Sequence, residues 1–150
     1  MNSRMITVVD GYSTGAWLAD RLRRHDVSAV HVRSTPDPGA HFAHSFRPQD
    51  YEDELAATMD AGPIVTALRR RRVERVVAGT ESGVELADRL NEALGTPGND
   101  PMLSAARRDK AVMLRAARAA GVRVPHSRTV SSAAEAVRWA SRSGAAAWVA

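Results

Sequence analysis

Apolar positions along the chain switch between two periods, and the order of the switches predicts an α/β protein. Met5 to Val9 is a short, β-branched apolar run closed by Asp10, the form of a parallel strand buried on both faces. From Ala16 to Arg24 the spacing becomes helical, with Trp17, Leu18, Arg21 and Leu22 in register and Ser13 or Thr14 placed to cap the start. Val27 to Val32 is a second strand, apolar enough for burial on both faces. Strand, glycine loop, helix and strand make one parallel βαβ unit, so the chain is building an open sheet with its first glycine loop at the carboxyl edge, where such sheets place ligands.

The pattern continues less evenly. Pro36-Asp-Pro-Gly39 breaks the chain, and the alternation of Phe42, His44 and Phe46 predicts a short strand, on which His41 and His44 face opposite ways and read as structural rather than metal-binding. Asp50, Glu52, Asp53 and Glu54 read as a solvated acidic turn. Gly62-Pro63 opens a helix with Ile64, Val65 and Leu68 inward, ending on Arg69 to Arg72, whose charges offset the negative end of the helix dipole. Val73 to Gly79 is another strand, followed by Thr80-Glu-Ser-Gly83; Ser82 and Glu85 form a capping box for a helix that runs to Leu94 with Val84, Ala87, Leu90 and Leu94 inward. Asp100 caps a further helix from Pro101 that Gly121 stops. After it, Val124 to Val130 reads as a strand, Ser132 and Glu135 as a capping box, Ala136 to Ser141 as a helix and Ala145 to Ala150 as the next strand. The fold class expected is therefore α/β: an open, mostly parallel, Rossmann-like sheet with helices on both faces over residues 1–98, a helical linker over 99–123, and an incomplete first βαβ of a second α/β domain over 124–150.

Composition narrows the function classes. With 44% apolar and 25% charged residues the chain is globular rather than disordered. No apolar run approaches the roughly 18 residues of a membrane span, and the N-terminal stretch is too short for a signal peptide. The chain has no cysteine, which excludes disulfides and thiolate metal sites and fits a cytoplasmic protein. Net charge is only +4, and the one basic cluster, Arg69 to Arg72, has no interleaved aromatic residue, so neither nucleic acid nor membrane is an expected partner.

One residue stands apart. Of 21 basic residues only Lys110 is a lysine. A lysine is a compact point charge that reaches phosphate oxygens, whereas arginine is a planar fork, so the two are not interchangeable at a nucleotide site. Ser104-Ala-Ala-Arg-Arg-Asp-Lys110, then an alanine-rich amphipathic helix, then Gly121-Val-Arg-Val-Pro125, resembles the linker of ATP-grasp ligases, and Val76 to Pro125 carries the likeness most strongly. The resemblance implies the first α/β domain and linker of an enzyme that joins a small-molecule carboxylate to an amine through an acyl-phosphate, with Lys110 contacting ATP. It implies ATP and Mg²⁺ in the complete enzyme, neither binding tightly to this chain alone, and it is compatible with a homodimer. The family's second ATP-contacting lysine, its glycine-rich lid and its metal carboxylates find no counterpart here, so the chain is expected to stop before the ATP-binding core and to hold no catalytic residue. Candidate substrate contacts at the carboxyl edge are Gly11, Tyr12, Ser13, Thr14 and Gly15 after the first strand and Thr80, Glu81 and Ser82 after the later one, with Glu81 positioned to take a substrate amine. The alternative is a stand-alone α/β small-molecule-binding or regulatory module, receiver-like with Asp10 as its acid; that needs a second aspartate ending a later strand, where this chain has Gly79-Thr80-Glu81.

Overall fold

The computed structural model describes residues 4–56 and 61–143. They fall into two compact units that divide between Arg108 and Asp109. The first unit holds four strands, β1 (Arg4–Val9), β2 (Val27–Arg33), β3 (Asp53–Ala56) and β4 (Arg75–Ala78), in the order β3-β2-β1-β4 and all parallel. Because side chains alternate along a strand, Val9, Val30, Val32 and Val76 share one face with Ile64 and Leu68 of helix α3 (Gly62–Arg70) and Leu86, Ala87 and Leu90 of helix α4 (Val84–Leu94). Val8 and Ala29 turn the other way, onto Ala19 of helix α1 (Leu18–Arg23). Leu68 and Leu90 are the largest fully buried apolar side chains among the described residues; each contributes roughly 1.5–3 kcal/mol by leaving water. The open sheet with helices on both faces is as the apolar runs predict.

The middle of the unit departs from expectation. Residues 40–43 form a helical turn, α2 (Ala40–Ala43), rather than a strand: the Gly39 carbonyl accepts the N–H groups of Phe42 and Ala43, and Phe42 and Phe46, four residues apart, both come to the Tyr12 ring. His41 and His44 therefore sit near each other, ring centres 5.8 Å apart, instead of on opposite faces. The third strand comes later, in place of the expected acidic turn. Asp53 pairs with Arg71, Glu54 lies 2.8 Å from Arg33, and Asp50 is buried between Arg47 at 2.7 Å and Arg23 at 3.3 Å. Arginine partners are what allow the Asp50 carboxylate to leave water.

The expected linker helix is broken. Asp100 caps its start as predicted, accepting the Met102 N–H at 2.9 Å, but α5 (Ser104–Arg108) ends within two turns. Asp109 is extended and its carboxylate accepts the Ala111 and Val112 N–H groups at 2.7 and 2.9 Å, a second N-cap that starts α6 (Lys110–Ala119). The first unit runs to Arg108.

In the second unit α6 stops where predicted: Gly121 has φ +76°, and the Val122 N–H closes back on the Ala117 carbonyl at 3.0 Å. The strand expected over Val124 to Val130 is not formed, and the one expected over Ala145 to Ala150 lies outside the described residues. Helix α7 (Ala133–Ser143) keeps half of its capping box, with Ser132 Oγ accepting the Glu135 N–H at 3.2 Å, while the Glu135 carboxylate reaches back to Ser131.

Candidate functional site

The chain leaves β1 at Asp10, whose φ of +53° turns it sharply enough for the Tyr12 N–H to reach the Asp10 carbonyl at 2.8 Å. Aspartate tolerates this left-handed geometry better than most residues. Its carboxylate is 2% exposed and must find donors. Oδ1 accepts the Ser34 N–H at 2.8 Å; Oδ2 accepts the Ser34 and Ser82 hydroxyls at 2.6 Å each. Thr80 Oγ1 adds a bond to the Asp10 carbonyl at 3.2 Å. Asp10 thus ties together the segments leaving β1, β2 and β4. The expected capping role of Ser82 fails for the same reason: its hydroxyl is committed to Asp10, and Gly83 stands at the N-cap of α4 with no side-chain bond.

Beside this hub His31 is fully buried, with Phe46 at 4.4 Å, Tyr51 at 5.1 Å and Tyr12 at 5.4 Å between ring centres. Its Nε2 accepts the Gly11 N–H at 3.0 Å, so that nitrogen carries no proton and the ring is neutral. Nδ1 lies 3.4 Å from Glu54 Oε1, off the line of a hydrogen bond. Burial holds the imidazole below its ordinary pKa, against the pull of Glu54 and Asp10. Burial likewise pushes the Tyr12 and Tyr51 phenols up to about 12, and neither hydroxyl has a partner among the described residues. The free lone pair of His31 is taken by the Gly11 N–H, and the two phenols stay protonated near neutral pH.

In an open sheet the ligand crevice forms where the strand order reverses, here between β1 and β4. That crevice is filled by its own loops. A Cβ at Gly15 would overlap the Gly79 backbone, and one at Gly11 would overlap the Tyr51 hydroxyl. The N–H groups of the first loop are turned inward: Gly11 to His31, Tyr12 to Asp10, Ser13 to Ser45 Oγ and Gly15 to the Tyr12 carbonyl. Glycine in this loop therefore serves close packing and does not build a phosphate cradle. The exposed residues on the rim are Ser13, Thr14, Glu81 and Ser82, the last with its hydroxyl bonded to Asp10.

A second polar cluster fastens residues 99–107 to α4. Asp88, 3% exposed, accepts from Ser104 at 2.5 Å, from Asn99 at 3.3 Å and from Arg107. Burial alone would raise its pKa, yet these three donors hold it below the ordinary carboxylate value. One turn on, Asn91 covers the open edge of β4, its Oδ1 accepting the Val76 N–H at 2.9 Å and its Nδ2 donating to the Val76 carbonyl at 2.8 Å. A cavity of about 420 Å³ runs along this edge, lined in part by Val76, Ala87, Asn91, Gly98 and Arg107 and by none of the residues singled out from sequence. In the second unit Lys110 is exposed at the first position of α6.

No family model matches the chain. Over 114 residues, 75% of its length, it is 31% identical to dapdiamide A synthase of Enterobacter agglomerans. The chain is homologous to part of an ATP-grasp ligase. It spans 27% of that enzyme. Its fold matches the crystal structure of an L-amino acid ligase from Bacillus licheniformis with a TM-score of 0.60, covering 81% of this chain and 31% of that one; at 12% identity this likeness concerns fold alone. The first unit has the open Rossmann-like architecture of a pre-ATP-grasp domain.

Within that family the candidate site residues separate by burial and by bonding. Gly11, Tyr12 and Gly15 are buried packing elements, Thr80 and Ser82 are bonded to Asp10, and Ser13, Thr14, Glu81 and Lys110 are open to solvent. Ser34, His31, Asp88 and Asn91 hold the fold through polar contacts that no local pattern in the sequence announces. Asp10 does carry a signal, as the lone acid ending an apolar strand. Among the described residues no three acidic or histidine side chains come close enough together to hold a metal ion, and no helix is long and apolar enough to cross a membrane.

Proposed function

We propose that the chain is the substrate-side domain and linker of an ATP-dependent ligase that joins a small carboxylate to an amine. In such a reaction the carboxylate takes the terminal phosphoryl group of ATP, releasing ADP, and the amine then displaces phosphate from the acyl carbon. The observation that carries this reading is the 31% identity to dapdiamide A synthase across three-quarters of the chain. Phosphoryl transfer needs a phosphate cradle and metal-binding carboxylates, which the described residues do not assemble. The part assigned to this chain is therefore to shape the substrate side through the rim residues Ser13, Thr14 and Glu81 and to offer one cation, Lys110, to nucleotide.

A chimera tests it. With this chain in place of the matching segment of dapdiamide A synthase, phosphate release from ATP should keep pace with amide formation, read by a phosphate assay and mass spectrometry. The 150-residue chain alone, given ATP, Mg²⁺ and a panel of amino acids, should release no phosphate above buffer. A chimera that folds and binds ATP yet makes no amide overturns the proposal, as does turnover by the isolated chain that survives repurification.

A further inference from the structure

Residues 45–50 run beside residues 13–23 in the first unit. Ser45 Oγ takes the Ser13 N–H at 2.8 Å, the Arg47 guanidinium lies 4.4 Å from the centre of a Trp17 ring, and Asp50 accepts from Arg23 at 3.3 Å. The middle contact differs from the other two in being only half closed. Trp17 is 58% exposed, although indole is among the most costly surfaces to leave in water. Arg47 is gripped by one edge, its Nε bonded at 2.7 Å to the buried carboxylate of Asp50. Among the described residues its Nη groups make no hydrogen bond. Asp50 is shared with Arg23, and Asp20 with Arg23 and Arg24, so three guanidinium groups face two carboxylates and the cluster is left with one positive charge.

A guanidinium fixed through Nε keeps a two-donor fork whose geometry matches a carboxylate, and the neighbouring indole gives that carboxylate's body an apolar wall. We propose that Trp17 and Arg47 form a binding site for a small carboxylic acid with an apolar or aromatic body, the carboxylate on the Arg47 fork and the body against the indole. A phosphate suits the site less well. One net charge is too little for a dianion, and the nearby backbone N–H groups that would share it are already bonded internally. The site names the acid class for the ligase reading above and depends on that reading only for its role in the reaction; binding itself is a property of this chain.

Trp17 is its own reporter. With Trp139→Phe and Trp148→Phe it is the last of three tryptophans, and its emission can be followed while phenylacetate, or the neutral phenylacetamide, is added at constant ionic strength. Phenylacetate should produce a saturable change, and the amide should bind at least about tenfold more weakly. Arg47→Gln should weaken phenylacetate by about tenfold, a charge-assisted bond being the part lost, with Arg47→Lys in between; circular dichroism checks that each variant folds. Calorimetry of the unmutated chain with acid and amide gives the same comparison without any variant. An equal response to acid and amide, a change that never saturates, or a folded Arg47→Gln that binds like the parent overturns the site. A working chimera without phenylacetate binding leaves the ligase reading standing and removes this site from it; binding together with an inactive chimera does the reverse.

Discussion

Replacing Asp10 by alanine removes the acceptor that three chain segments share. Its carboxylate takes one backbone N–H and two hydroxyls, all within 2.6 to 2.8 Å. Hydrogen bonds to a charged group contribute roughly 1.5–3 kcal/mol each when desolvated. Ser34 and Ser82 are not buried, so water recovers part of that when the carboxylate goes, leaving about 1 kcal/mol per bond and about 3 kcal/mol in all. For a unit of this size 1 kcal/mol moves the midpoint by about 4–8 °C, so Asp10→Ala should melt roughly 12–24 °C below the parent. Asp10→Asn keeps one carbonyl oxygen and accepts the left-handed backbone, and should lose only about a third as much. Urea unfolding and thermal melts followed by circular dichroism measure both. If Asp10→Ala stays within about 0.5 kcal/mol of the parent, the range of an ordinary surface change, the carboxylate does not hold these loops and the hub is an accident of packing.

Three other outcomes are expected. Because His31 is held below its ordinary pKa of 6.5, the unfolded chain binds the proton more readily; this contribution is present above about pH 6.5 and is lost as pH falls below it, by at most about 1.4 kcal/mol per pH unit. His31→Gln, which can still accept the Gly11 N–H, should flatten the acid side of a stability-against-pH curve, and an unchanged slope would assign it to other groups. Asn91→Leu keeps the branched shape but frees the Val76 N–H and carbonyl on the edge of β4, costing about 2 kcal/mol and promoting edge-to-edge association; light scattering that shows an unaltered mass, with unaltered stability, would refute the edge-cover role. In the chimera, Lys110→Ala should raise the ATP dissociation constant by about tenfold and Lys110→Arg should recover part of it; if both bind ATP like the parent, Lys110 is an ordinary exposed helix residue.

The first two strands are legible in the sequence because burial on both faces leaves few ways to write them: Met5 to Val9 and Val27 to Val32 are β-branched runs with nothing else to be. β3 is not. It is an edge strand of Asp-Glu-Leu-Ala, and edge strands are kept short and charged so that they do not recruit other chains, which is the composition of a solvated turn. The α2 turn is ambiguous because Phe42 and Phe46 satisfy a period of two and a period of four equally well, and only the Tyr12 ring, thirty residues upstream, decides between them. The break at Asp109 has a local signal, an aspartate before an apolar helix, but the same aspartate also fits a solvent-facing position within one longer helix. Its extended backbone is what separates the two.

Ser82 shows why the site itself is the least legible part. Locally, Ser82 and Glu85 are a sound capping box, and a serine cap is worth about 1 kcal/mol. That reading is correct for an isolated helix. In the folded unit the same hydroxyl lies 2.6 Å from the carboxylate of Asp10, a residue 2% exposed; that bond contributes about 1 kcal/mol net, as the cap would, and its absence would in addition leave part of a buried charge unpaired. The bond to Asp10 wins, and the helix start is left to Gly83 without a side-chain cap. Ser82 is 72 residues from Asp10 in sequence, so no local pattern announces the competition; what can be read is that a lone acid ending a buried strand must find donors, and that hydroxyls in the loops leaving neighbouring strands are the donors within reach.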